Sequence, residues 1–147
     1  MVAVQFPRCA HLRVTAVKPG GWDNRTYRLG MEMSIRLPSQ QRYAAQIEKE
    51  HRWLPVLGPL LPLPIPVPLG KGEPVEGFPC TWSIYRWLEG ETAASERIGD
   101  KRQFATDLAQ FLVALQEIDA TGGAAAGLIT SSAAVHSPFT TKKLAVR

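Results

Sequence analysis

Acidic side chains stop at Asp119, and none of residues 120–147 is Asp or Glu. However that stretch folds, it offers no carboxylate base and no carboxylate ligand for a hard divalent cation. Cysteine is almost missing as well. Cys9 and Cys80 are too far apart for a C-x-x-C motif or a disulfide framework, which points to a reduced, cytoplasmic protein. No apolar run is free of breakers: the most apolar window, residues 54–69, holds six prolines and is no membrane helix. The first thirty residues carry scattered charges and no secretory pattern. Nor does any run of Lys and Arg interleave with aromatics, so nucleic acid is not an expected partner. The net charge of +4 reads first as a solvated basic surface, and it would also suit a phosphate-bearing ligand.

The residues that are present alternate early in the chain. Leu12–Val17, Thr26–Leu29 and Met31–Leu37 read as three antiparallel strands. Successive strand side chains point to opposite faces, so Met31, Met33, Ile35 and Leu37 share one face and Glu32, Ser34 and Arg36 the other. The turn over Gly20, Gly21, Trp22, Asp23 and Asn24 has paired glycines, which let backbone amides come close to a ligand or simply turn a hairpin. After Pro38, Ser39 is a candidate helix cap. Tyr43, Ile47, Glu50, Leu54 and Leu57 then recur at helical spacing, with a stop or bend near Pro55. Glu50 falls on that packed stripe. A carboxylate there needs a cation, and Arg36 on the polar strand face is the nearest one.

Prolines at every second position from 62 to 68 strip the donors from one strand edge, which predicts an edge strand or a covering segment. A polyproline ligand for a partner domain is the rival reading. Residues 70–77 read as a loop. Phe78–Leu88 is the strongest strand, apolar on both faces and so covered on both sides. Asp100 with Gln103 forms a capping box for a second helix, whose stripe Phe104, Leu108, Phe111, Leu112, Leu115 and Ile118 reads as core. That helix should stop near residues 121–123, and residues 124–147, without a sustained period, read as a disordered or aberrant tail. The expected fold is α+β: about five antiparallel strands with one packed helix over residues 1–123, then a second helix and the loose tail.

In this order, residues 20–30, 34–38, 48–55, 63–68, 82–90 and 107–115 make the chain resemble the amino-terminal lobe of the aminoglycoside phosphotransferases, which have a protein-kinase-like fold. The resemblance covers roughly residues 5–123. It implies an ATP-dependent transferase in which Gly20, Gly21, Trp22 and Asn24 lie over the phosphates. Arg36 stands where that family's phosphate-contacting strand Lys sits, with Glu50 as its helix partner. Arg in place of Lys replaces a point charge with a planar fork. Residues 85–88, with Trp87 and Leu88, resemble the hinge that receives adenine, though Trp87 fits a core aromatic equally well. The family's catalytic loop, His-Gly-Asp or His-x-Asp, is absent: no Asp follows His11, His51 or His136 at that spacing. Mg2+ is implied by the family, but its carboxylate ligands are missing. The expectation is therefore a truncated lobe, inactive alone, with weak or no ATP binding. The alternative is a non-catalytic protein-interaction domain that uses the exposed underside of the lobe, where apolar surface on the second helix would also allow self-association.

Overall fold

Five antiparallel strands form one sheet in the order β1-β2-β3-β5-β4. They are β1 (Val14–Ala16), β2 (Asn24–Leu29), β3 (Met33–Pro38), β4 (Pro68–Gly72) and β5 (Trp82–Arg86). Among the described residues the α-helices are α1 (Val2–Gln5), α2 (Ala44–Leu57) and α3 (Lys101–Glu117). The structure, a computed structural model, describes residues 1–18, 21–91, 93–94 and 96–123. The expected tail over residues 124–147 lies outside them. The α+β architecture is that of a kinase-like amino-terminal lobe.

Cross-strand register sorts the sheet into an apolar and a polar face. Tyr27 pairs with Ile35, which pairs with Ile84, and Leu29 pairs with Met33. With Trp82 they build a core in which Leu29, Ile35, Trp82 and Ile84 are buried. On the other face Thr15, Arg28, Ser34 and Tyr85 form one cross-strand row, and Thr26, Arg36, Ser83 and Lys71 form a second. Helix α2 covers this polar face, with Ile47 only 3% exposed.

The apolar face is covered by the first twelve residues. Val2, Phe6, Cys9 and Leu12 pack against the core, and the Phe6 ring meets Trp82 edge-on at 5.4 Å. The Gln5 side chain clamps Glu73: Nε2 donates to its carbonyl at 2.9 Å and Oε1 accepts from its N–H at 2.8 Å.

Several boundaries differ from the sequence reading. Met31 is not in β3; it is 76% exposed in the turn of residues 30–32, where Gly30 takes φ +62°. Asn24 opens β2 opposite Pro38 rather than belonging to the turn. Ser39 does not cap a helix. Its N–H donates to the Asp23 carbonyl at 2.8 Å and its hydroxyl to the Trp22 carbonyl at 3.0 Å, while a 3-10 turn over Gln41–Tyr43 leads into α2. Pro55 lies within α2, which continues to Leu57; having no N–H, it leaves the His51 carbonyl without its intrahelical donor.

The edge strand is displaced from the proline run. Only Pro68 of that run enters β4, which continues through Gly70–Gly72, residues read from sequence as loop. Just before β4 the Val67 carbonyl still accepts from the Arg86 N–H at 2.8 Å. Strand β5 is confined to Trp82–Arg86, and its first four residues are all buried, as expected for a strand covered on both faces. Asp100 caps α3, accepting from the Arg102 and Gln103 N–H groups at 2.9 Å each. The α3 stripe is not core in this structure: no α3 residue is buried, and Phe104, Leu108, Leu112 and Leu115 are exposed.

Candidate functional site

The polar face of the sheet gathers the charged residues. Arg36 extends from β3 and Glu50 from α2, with Arg36 Nη1 3.8 Å from Glu50 Oε2. Their side chains keep 31% and 22% of their exposure, so the pair is half-buried and its charges are partly screened. The Tyr85 hydroxyl donates to the same Glu50 oxygen. The Arg36 guanidinium carbon stands 4.7 Å from the Tyr85 ring centroid. Burial first, and then the Glu50 carboxylate, push the Tyr85 phenol above its ordinary 10.0, so it remains a donor.

Beside this cluster His51 Nε2 lies 2.5 Å from Ser83 Oγ, and the Ser83 hydroxyl donates to the Gly70 carbonyl at 3.0 Å. A hydroxyl has one proton, so Ser83 accepts from His51 Nε2–H, and the chain of bonds ties α2 to β5 and β4. Desolvation, then Lys71, lower the His51 pKa from 6.5, against the opposing pull of Glu48 and Glu50. Lys71 in turn binds Glu48 at 2.8 Å on the solvent side.

A depressed histidine pKa has a definite linkage sign. The neutral form suits the folded state, so the stability it supports is complete above pH 6.5 and is lost as pH falls from there through the lowered folded value. Urea midpoints measured from pH 8 to pH 5 should fall more for the wild type than for His51→Gln, which cannot take up a proton. Parallel curves would contradict this.

Toward β1 lies an open cavity of about 530 Å3, lined among others by Thr15, Val17, Arg28, Met31 and Trp87. The Arg28 guanidinium stacks 4.5 Å from the Trp87 ring and donates to Glu89 Oε1 at 2.6 Å and to the Met31 carbonyl at 2.7 Å. Two buried donors, Arg28 Nε and Trp87 Nε1, have no partner among the described residues. The backbone N–H groups of Arg86 and Trp87 bond to the Val67 and Glu32 carbonyls, at 2.8 and 2.7 Å. No backbone carbonyl among the described residues takes the Leu88 N–H.

The sequence-derived residues are thus split between places. Arg36 and Glu50 come together on the polar face, while Trp87 lines the cavity and Leu88 follows it, 37% exposed. Gly21 and Trp22 are exposed at the β1–β2 turn, Trp22 at 90%, and Asn24 begins β2. Gly20 lies outside the described residues. Sequence reasoning passed over Arg28, Thr15 and Glu89. Arg28 carried one usable signal, its place on the polar side of an alternating strand. Glu89 meets it only through folding, sixty-one positions away.

The chemistry of the donor set is uneven. Arg36, Arg28 and Lys71 offer cations on one face, suited to an anionic ligand. Among the described residues no group of three His, Cys, Asp or Glu side chains could hold a metal ion. No helix among them is long and apolar enough to cross a membrane.

The model of the phosphotransferase enzyme family (APH) matches residues 15–139. Solved structures share the fold. The GDP and kanamycin complex of APH(2″)-IIIa is 23% identical at a TM-score of 0.75, over 95% of this chain and 51% of that one. The GDP complex of wild-type aminoglycoside 2′-phosphotransferase-IIIa is 21% identical at 0.75, over 92% and 47%. The streptomycin–ATP–APH(2″)-IIa ternary complex is 18% identical at 0.62, over 82% and 41%. No curated protein matches the chain. At these identities the likeness speaks for the fold alone, and the chain spans about half the length of the first of these proteins. Because the family match takes in most of its length, the chain belongs to the phosphotransferase enzyme family.

Proposed function

We propose that this chain is the nucleotide-side lobe of an ATP-dependent, aminoglycoside-phosphotransferase-like kinase, and that these 147 residues alone do not transfer phosphate. The carrying observation is the Arg36–Glu50 pair on the polar sheet face, a strand cation facing a helix carboxylate at 3.8 Å. The cavity beside Trp87 suits a planar base, and the Leu88 N–H, with no backbone acceptor among the described residues, suits a ring nitrogen of that base. ATP therefore fits the residues present: Leu88 and Trp87 toward the base, and Arg36 toward the phosphates. When bound, it would supply the transferable phosphoryl group.

Mg2+ does not fit in the same way. The described residues hold no cluster of metal ligands, and no acidic side chain follows Asp119. Phosphoryl transfer depends on positioning and on charge stabilisation at the metal, so no transfer step is assigned to these residues. Isothermal titration of the chain with ATP should show weak binding, with no ADP released in the presence of an aminoglycoside and Mg2+. Turnover by this chain would overturn the inactive-alone reading, and absence of any nucleotide binding would overturn the lobe reading.

A second reading has its own observation, the exposed α3 stripe of Phe104, Leu108, Leu112 and Leu115. Apolar surface of that kind serves association with a partner or with another copy. Light scattering separates the two readings: a discrete oligomer favours an interaction domain, polydisperse aggregates a lobe lacking its cover.

A further inference from the structure

The phosphate-side arginine has only a loose grip on its carboxylate. At 3.8 Å, Arg36 Nη1 is beyond hydrogen-bond length from Glu50 Oε2, and that oxygen is already taken by the Tyr85 hydroxyl. Arg36 rests instead against the face of the Tyr85 ring, within cation–π range at 4.7 Å. Tyr85 is fully buried in β5, the central partner of β3 and β4. One rigid side chain therefore touches both charged groups, the carboxylate with its edge and the guanidinium with its face. A carboxylate free to meet the arginine head-on would draw two of its N–H groups into a bidentate pair.

We propose that Tyr85 is a positioning residue of this site: its hydroxyl occupies Glu50 and its ring carries Arg36, which leaves the guanidinium N–H edge open to a phosphate. This role rests on the nucleotide reading above and concerns the phosphate tail, not the base. Loss of the hydroxyl releases Glu50 to close on Arg36, so the variant loses phosphate affinity while the fold and the base cavity stay as they are.

The test is an NMR titration of the full chain with ATP and, separately, with adenosine. Four proteins are compared: wild type, Tyr85→Phe, Arg36→Met and the double variant. Tyr85→Phe keeps the ring and removes only the hydroxyl. It should weaken ATP about 5-fold, the size of one hydrogen bond, leave adenosine unchanged, and add nothing in the Arg36→Met background. Equal weakening of both ligands means a general packing role and overturns the proposal, as does unchanged ATP affinity or a full additional loss in the double variant. A wild-type chain that binds neither ligand overturns the nucleotide reading itself, and this role with it.

Discussion

Deleting residues 2–11 is expected to unfold the sheet. Those residues have no strand of their own, yet Val2, Phe6 and Cys9 cover the apolar face built by Leu29, Ile35, Trp82 and Ile84. Removing them returns several large side chains to water, at roughly 1.5–3 kcal/mol for each one fully exposed. The deletion also removes the Gln5 clamp on Glu73, whose carbonyl further accepts from Trp82 Nε1 at 3.1 Å. A loss of about 5 kcal/mol is of the order of a small domain's whole stability. Tryptophan fluorescence in urea should show no folded baseline for the deletion, against a cooperative transition for the full chain. A truncated chain that keeps its midpoint would show that the face is covered by something else.

Gly72→Ala should be the most damaging single-methyl change. Gly72 pairs with Trp82 across β4 and β5, and an added Cβ would lie 2.0 Å from Trp82 Cε2 and 2.4 Å from both Cζ2 and Nε1. The indole is fully buried, with Phe6 against its ring, so it has no room to retreat. Overpacking in a close-packed core costs about 1–3 kcal/mol, and a contact this short belongs at the upper end or above. Urea denaturation should therefore show a loss of about 3 kcal/mol or more. The cost should shrink in a Trp82→Leu background, where the obstructing ring is gone, giving a strongly non-additive double-mutant cycle. Additive losses would mean that the strain lies in the backbone rather than against the indole.

The errors of the sequence reading share one cause. Alternation located β2 and β3 but placed Met31 in a strand, because the period continues across a turn that only the pairing of Leu29 with Met33 defines. The proline run marked an edge strand, yet only its last proline is in the paired strand, and the rest of β4 is the Leu69–Gly72 segment that follows it. The lead-in before β1 showed no period because a covering segment packs single side chains irregularly rather than by face. The α3 stripe was legible as apolar, but whether it is buried depends on what lies against it.

What the sequence alone determined is local or compositional: the strand and helix types, the Asp100 cap, the amphipathic placement of Arg36 and Glu50, and the lack of acidic side chains beyond Asp119. These follow from spacing along the chain and from residue chemistry. Only the tertiary structure decided which face α2 covers, that residues 2–12 close the other, that Arg28 reaches Glu89, and that Tyr85 stands between Arg36 and Glu50. Those contacts join residues far apart in the chain: sixty-one positions for Arg28 and Glu89, and seventy-six for Phe6 and Trp82. Strand register sets which side chains meet across such distances, and register is a property of the assembled sheet, not of any one segment.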